Sequence, residues 1–347
     1  MDGMTMTKEY DKYSYRIAFI NRRPVEGQYS LESYFKRIGE SLRSLGVDLR
    51  SCTSPYNSKG LIPRLKIIRF ANQQQETINH ITGDIHFAAL GLDPSRTVVT
   101  VADCGRLHQL TGIKKELLRQ IWFELPLRKV AAITVISQSV KEDLLNWVPT
   151  LSPEVIHVIP VSISPIFTYS ERIFNHSNPR ILQIGTKANK NLPRLIQAMQ
   201  GLDATLVIIG KLDKDLLRLL SAYNIRYENH SGLSEVEVVD LYRSSDLLAF
   251  ASTLEGFGMP ILEAQAIGRP VLTSNCTSMP DVAGGGALLV DPYSVSSIRS
   301  GLIRLIEDGS LREELITRGL SNINRFSSDA IAAQYLQVYQ SILASIG

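Results

Sequence analysis

The sequence predicts an α/β protein made of two doubly wound, Rossmann-like domains, each built on a parallel sheet. Three observations carry the expectation. The chain has 347 residues, more than a single hydrophobic core usually serves. Short apolar runs alternate with segments of helical periodicity, as they do where parallel strands are joined by crossover helices. The alternation stops once, at "SISPIFTYSERIFNHSNP" (162–179), a polar stretch with two prolines that reads as a linker, and then restarts. We therefore expect a first domain over 1–165, a second over 166–326 and a closing helical segment over 327–347, with a ligand cleft between the two domains.

In the first half the expected strands are "RIAFIN" (16–21), "VDLRSCT" (47–53), "GDIHFAA" (83–89), "TVVTVAD" (97–103), "AITVIS" (132–137) and "VIHVIP" (155–160). A helix over 30–46 starts at Ser30, keeps an i, i+4 apolar spacing and stops at Gly46; another over 137–148 starts on a Ser cap. The second half reads strand 180–185, helix 191–202, strand 204–210, helix 214–223, helix 234–245, strand 246–252, helix 260–268 and strand 270–275. Helical segments over 294–308, 310–326 and 327–346 close the chain.

Composition excludes several classes. A net charge of +3 lacks the strong basic stripe of a nucleic-acid binder. Cys52, Cys104 and Cys276 are too far apart for a metal or disulfide frame, so no metal is expected and a reducing cytoplasm fits. The first residues lack the apolar core of a signal peptide, and no run is long enough to span a bilayer.

The chemistry concentrates in "STLEGFGMPILEAQAIGRPVL" (252–272). It reads as strand end, loop, helix, glycine stop and next strand, with Pro260 suited to the first helical turn and Gly268 to the stop. Ligands of doubly wound sheets lie beyond the carboxyl ends of the strands, where this loop falls. Gly256 and Gly258 let the backbone approach a ligand, and the N–H groups that follow can receive a phosphate or sugar oxygen. A carboxylate can accept from two hydroxyls, so Glu263, expected in the first turn of the helix, fits a ribose diol, and Glu255 fits a hydroxylated group nearer the turn. The same residues also fit a blander role, with Glu263 complementing the helix dipole and Glu255 solvated. In "IGTKANKNLPRL" (184–195), Lys187 and Lys190 beside a helix start at Asn191 suit a diphosphate, or are ordinary surface lysines.

The 252–272 stretch resembles the donor-site signature of GT4-type, group 1 retaining glycosyltransferases of the GT-B fold: a Glu, seven residues and a second Glu, with Gly-Phe-Gly between. The likeness continues through "MPDVAGGGALLVDP" (279–292), with Asp281 where Glu is commoner, and "RFSSDAIAAQYLQVY" (325–339), similar to the helix that crosses back to the first domain. It covers 180–340. The resemblance implies an acceptor-binding first domain and a nucleotide-sugar-binding second domain. It implies that Glu263 holds the ribose, while Glu255 and the backbone of Gly256, Phe257 and Gly258, with Met259 and Pro260 at the helix start, face the donor. Lys190 and Asn191 match the family's Lys-Asn pair; Thr186 stands where many relatives have Arg, and Lys187 would replace that charge. No cofactor is implied, only a UDP- or GDP-sugar as donor, with fixed cations in place of a metal.

In the first half, Gly27 is placed to bring backbone N–H groups to the donor phosphates, and Arg22 and Arg23 to meet a polar or anionic acceptor; the loop also reads as a plain polar connection. His86, after Asp84, is either functional or packed. "VTVADCGRL" (99–107) departs from the family, which commonly places a His at the position of Ala102. Asp103, with Arg106 and His108, is the expected compensation. Lys59, Arg64, Lys66 and Arg69, mixed with Leu and Ile, read as a solvated helix face or as a peripheral contact with the inner face of the plasma membrane. The expected function is transfer of a hexosyl group to a saccharide or lipid-linked saccharide. A degenerate nucleotide-sugar-binding protein and a sugar-nucleotide epimerase or phosphorylase on the same scaffold are the alternatives, separated from transfer by product analysis with and without acceptor.

Overall fold

The computed structural model describes residues 15–24 and 30–346. Its elements fall into two compact units, one taking the chain up to Pro160 together with Ser328 onward, the other spanning Val161–Ser327.

The first unit runs β1 (Arg16–Asn21), α1 (Ser30–Ser44), β2 (Asp48–Thr53), α2 (Leu61–Gln73), β3 (Ile78–Ile81), β4 (Thr97–Val101), α3 (Gly105–Gln109) and α4 (Gly112–Leu118). A π-helical turn over Arg119–Glu124 leads to α5 (Leu125–Leu127), β5 (Ala132–Val135), α6 (Gln138–Trp147) and β6 (Ile156–Val158). The strands form one parallel sheet, ordered β2-β1-β3-β4-β5-β6. Central strands of such a sheet are covered on both faces, so β4 and β5 read as unbroken apolar or Thr-rich runs and are buried throughout. The expected strand over 83–89 is corrected. The strand is β3, "INHI", and the chain then turns into a 3₁₀ helix over His86–Gly91. Buried polar residues disguised β3: Asn79 accepts from the Glu76 N–H at 2.9 Å, and His80 is paired at both ring nitrogens. The strand ending at Val101 also leaves Ala102 and Asp103 beyond the sheet.

The second unit runs β7 (Arg180–Ile184), α7 (Leu192–Met199), β8 (Thr205–Ile209), α8 (Lys214–Ala222), β9 (Tyr227–His230), α9 (Glu235–Ser244), β10 (Leu247–Phe250), α10 (Met259–Ile267), β11 (Val271–Ser274), α11 (Met279–Ala283), β12 (Leu288–Val290), α12 (Val295–Glu307) and α13 (Gly309–Asn322). All pairs are parallel, in the order β12-β11-β10-β7-β8-β9. The sequence reading missed β9 and β12, the two edges of this sheet, where half-exposed strands need no continuous apolar run. The 162–179 stretch is fastened to this unit rather than free: Arg172 Nε and the Asn175 N–H both donate to Asp246 Oδ1, at 2.7 and 3.2 Å, and the Ser170 N–H donates to Ile267 O.

The last helix, α14 (Ser328–Ile346), packs on α1 in the first unit. Its buried Tyr335 and Tyr339 carry it there: Tyr335 Oη lies 3.2 Å from Tyr34 Oη, and Tyr339 Oη lies 2.7 Å from His80 Nδ1.

Candidate functional site at the switch point of the second sheet

In the second sheet the chain moves from β7 outward to β8 and β9, then returns to the other side of β7 and moves outward through β10, β11 and β12. Loops leaving the carboxyl ends of β7 and β10 therefore diverge, which opens the crevice where doubly wound sheets hold ligands. The two lysines lie on one of these loops and Glu255 on the other.

After β7, Gly185 turns the chain with a φ of 87°, and a Cβ there would meet Lys190 Cγ at 2.9 Å. The glycine thus leaves room for the Lys190 stem. A 3₁₀ turn over Ala188–Lys190 follows, and Lys190 Nζ donates to Glu255 Oε1 at 2.7 Å, 4.6 Å from the centre of the Phe250 ring. Both partners are mostly buried, with side chains 18% and 13% exposed. Asn189, which the sequence reading passed over, donates to Leu254 O at 2.9 Å and Glu255 Oε1 at 3.3 Å, while its carbonyl accepts from the Thr253 N–H. Lys187 is exposed. Thr186 donates to Lys211 O at 2.8 Å, so its hydroxyl fastens the loop after β8.

Asn191 begins α7, where the sequence places the helix start. It lies at a left-handed φ of 59° as the cap of α7 and is buried. Its amide donates to Ala251 O at 2.9 Å and Pro292 O at 2.7 Å, and its Oδ1 accepts from Arg194. Both amide donors are spent inside the unit, so the Asn191 side chain positions the loop.

After β10, Ser278 Oγ lies 2.7 Å from Phe257 O and 3.1 Å from Glu255 O, bracing the turn from behind; it too carried no signal in the sequence. Phe257 is buried edge-on to Phe326, so only its backbone faces outward. Gly258, at a φ of 111°, caps α10, with Met259 and Pro260 as the first helical residues. Glu263 falls in the second turn of α10, not the first, because the helix starts at Met259. Its Oε2 accepts from Tyr242 Oη at 2.6 Å. Burial pushes the Glu263 carboxyl up to about 7, with the Tyr242 bond and Lys190 pulling down and Glu235 pushing up. Among the described residues, no group of three His, Cys, Asp or Glu side chains is placed to hold a metal.

The remaining candidates belong to the first unit. Gly27 lies outside the described residues. Arg22 pairs with Glu32 at 2.6 Å, and Arg23 is exposed, with Nη1 3.4 Å from Pro55 O. His86 is buried, its Nδ1 3.2 Å from Trp122 O and its ring edge-on to Phe123, and burial lowers its pKa. Of its two readings, the packed one fits. Asp103 is exposed and accepts from the Gly105 N–H of its own loop at 2.8 Å. Arg106 lies 3.8 Å from Asp84, which accepts from Trp122 Nε1 at 2.8 Å; Arg64 stacks on the same indole at 4.6 Å. Trp122 and Asp84 were not among the expected site residues.

Residues 170–321 match the family model described as glycosyl transferases group 1. The chain is 38% identical over 100 residues to O-antigen chain mannosyltransferase B of Escherichia coli, an alignment covering 29% of this chain and 26% of that protein. It is 28% identical over 258 residues to the MMP alpha-(1->4)-mannosyltransferase of Mycolicibacterium hassiacum, covering 70% of this chain and 59% of that one. These alignments thus span less than two thirds of the relatives' own length. Among solved structures, the sucrose-phosphate synthase of Thermosynechococcus elongatus superposes with a TM-score of 0.75 at 16% identity, covering 95% of this chain and 99% of that one. Anabaena HepE, solved in complex with UDP and glucose, superposes with a TM-score of 0.74 at 15% identity, covering 94% and 100%. At such identities the superpositions establish the fold, and the matched segment contains the whole β7–β10 crevice. The chain has the GT-B fold, and its segment 170–321 is similar to the group 1 glycosyl transferases.

Proposed function

We propose that the protein is a retaining glycosyltransferase that moves a hexosyl group from a nucleoside-diphosphate sugar to a saccharide or lipid-linked saccharide, in cell-surface polysaccharide synthesis. The observation that carries the reading is the Lys190–Glu255 pair at the switch point, with Glu263 on the helix that follows. Lys190 stabilises the diphosphate as charge develops on it. Glu255, oriented by Lys190 and Asn189, accepts from donor-sugar hydroxyls, and Glu263 accepts from the ribose. The backbone N–H groups at Gly258 and Met259 receive phosphate oxygen at the start of α10. The departing diphosphate takes the acceptor proton.

The second unit, with these residues, is the donor-binding domain in this reading, and the first unit the acceptor-binding domain, with Arg22, Arg23, Asp103 and Arg106 as its polar candidates. The names of the mannosyltransferase relatives support a mannosyl donor as the first to test, and the UDP complexes of HepE support a uridine donor. On α2, Leu61, Ile62 and Leu65 are 71%, 68% and 56% exposed among Lys59, Arg64, Lys66 and Arg69, which supports peripheral contact with an anionic membrane surface. Among the described residues no helix is long and apolar enough to cross a membrane.

A thermal-shift panel of UDP, GDP and their hexose conjugates, repeated on Glu263→Ala, tests donor binding. Stabilisation of the wild type and its loss in the variant are expected; no stabilisation by any nucleotide would refute the reading. Product analysis with saccharide acceptors, with and without Glu255→Ala, tests transfer, and donor binding without transfer identifies a degenerate binder.

A further inference from the structure

We propose that Tyr242 is a positioning residue for nucleotide recognition: it pins one oxygen of Glu263, so that the other is presented to the ribose hydroxyls, and thereby makes the site prefer ribonucleotides to their deoxy forms. The inference rests on the donor-site reading above.

Tyr242 is fully buried on α9, and a buried phenol needs a partner. It has two acceptors in range, Glu263 Oε2 at 2.6 Å and Pro260 O at 3.3 Å. A hydroxyl carries one proton, and the shorter, charge-assisted contact is the stronger. Among the described residues Tyr242 is the one side chain that donates to Glu263. Two features keep the phenol in place. Its ring stands edge-on to Phe167 at 5.7 Å. Its carbonyl accepts from Arg269 Nε at 3.2 Å, and the same buried guanidinium bonds Arg243 O on α9 and Ile267 O on α10. Arg269 therefore ties together the carboxyl ends of the two helices that carry Tyr242 and Glu263, and the phenol–carboxylate distance is set by backbone.

A carboxyl free to rotate, or protonated, offers a ribose diol fewer well-placed lone pairs. The Tyr242 bond favours the ionised form against the burial that opposes it. Around Glu263 the other charged groups in play are Glu235 on α9 and Lys190 on the β7 loop. Losing the phenol hydroxyl should therefore shift the pH at which ribose recognition switches on to a higher value.

The test is equilibrium binding of UDP and GDP, and of their 2′-deoxy and 3′-deoxy forms, to the wild type, Tyr242→Phe and Glu263→Gln from pH 6 to 8.5. Tyr242→Phe keeps the ring against Phe167, so the packing survives. We expect it to weaken the ribonucleotide about tenfold, the scale of one hydrogen bond to a charged group, with a smaller loss for the deoxy forms. Its pH midpoint should move upward. Glu263→Gln should lose both the ribose preference and that part of the pH dependence, leaving only the titration of the nucleotide. An equal loss for ribo and deoxy forms in Tyr242→Phe, with an unmoved midpoint, assigns Tyr242 a purely structural role and overturns the proposal. Failure of the wild type to bind either ribonucleotide overturns the donor-site reading, and this inference with it.

Discussion

The first unit should lose stability in mild acid, with a share that can be traced to His80. His80 is fully buried, with Nδ1 2.7 Å from Tyr339 Oη and Nε2 2.7 Å from Thr100 Oγ1, and its ring stands edge-on to Phe19 and Phe35. Burial pushes its pKa from the usual 6.5 down to about 3. The unfolded chain therefore takes up a proton near pH 6.5 that the folded unit refuses until about 3. Stability is intact above the unfolded value and falls as the pH drops below it. At pH 5, one and a half pH units below the unfolded value, the loss is about 2 kcal/mol, at about 1.4 kcal/mol per unit. Both tryptophans, Trp122 and Trp147, belong to the first unit, so their fluorescence reports its unfolding without interference from the second. Urea melts at pH 7 and pH 5 give the difference directly. Buried His86 and the partly buried His157 have lowered pKa values too, so the slope in His80→Gln, not its absolute stability, isolates His80. The wild type should lose about 2 kcal/mol more than the variant between the two pH values. Equal losses would refute the assignment of a neutral, buried imidazole as the acid-sensitive element.

Four further outcomes follow from the site. Lys190→Ala should cut transfer by about 10²–10³-fold, whereas Lys187→Ala, at an exposed position, should cost less than about threefold, both read from initial rates at saturating donor. Gly185→Ala should displace the Lys190 stem and destabilise the loop by about 1 kcal/mol, measured by circular-dichroism melts alongside donor affinity. Asn191→Ala strips donors from two buried carbonyls and should destabilise the second unit by about 2–4 kcal/mol in the same melts. Ala102→His should change donor turnover; unchanged turnover would place this position away from the donor sugar.

The crevice was legible where chemistry and backbone punctuation coincide. Gly258, Pro260 and Gly268 mark the bounds of α10 in the sequence, and Glu255 and Glu263 stand out as acids around a glycine turn. Elements whose evidence is a partner rather than a pattern stayed hidden. β3 carries Asn79 and His80 at positions where an apolar pair would have advertised a strand, and only the folded chain supplies their bonds. The inward bonds of Asn191 were equally hidden: its neighbour Lys190 reaches Glu255, while a left-handed φ turns the Asn191 side chain inward. Tyr242 was invisible for the opposite reason: on an amphipathic helix it occupies an ordinary core position, and nothing local says that its hydroxyl meets a carboxylate 21 residues further on.

In the proposed donor site two carboxylates stand beside the diphosphate position, where they would ordinarily repel the ligand, and each is held in a setting that lessens that repulsion. Glu255 is already paired with Lys190 inside a largely buried contact, so an arriving diphosphate meets a neutral pair whose cation it can share, rather than a bare anion. Among the described residues Glu263 has no cation at bonding distance; burial instead pushes its carboxyl up to about 7, which disfavours the charged form that would repel the ligand. Pairing also explains why the lysine is placed on the loop after β7 and the acid on the loop after β10. Only at the switch point do two loops from adjacent strands diverge enough to admit a ligand while their bases remain one strand spacing apart, close enough for a 2.7 Å contact. Lys190 and Glu255 depend on the strand order for their encounter, and the order depends on β10 returning past β8 and β9 to pair with β7. In the proposed donor site, a diphosphate that draws Lys190 from Glu255 would leave that acid free to accept from the sugar, and diphosphate and sugar recognition would be coupled through this ion pair.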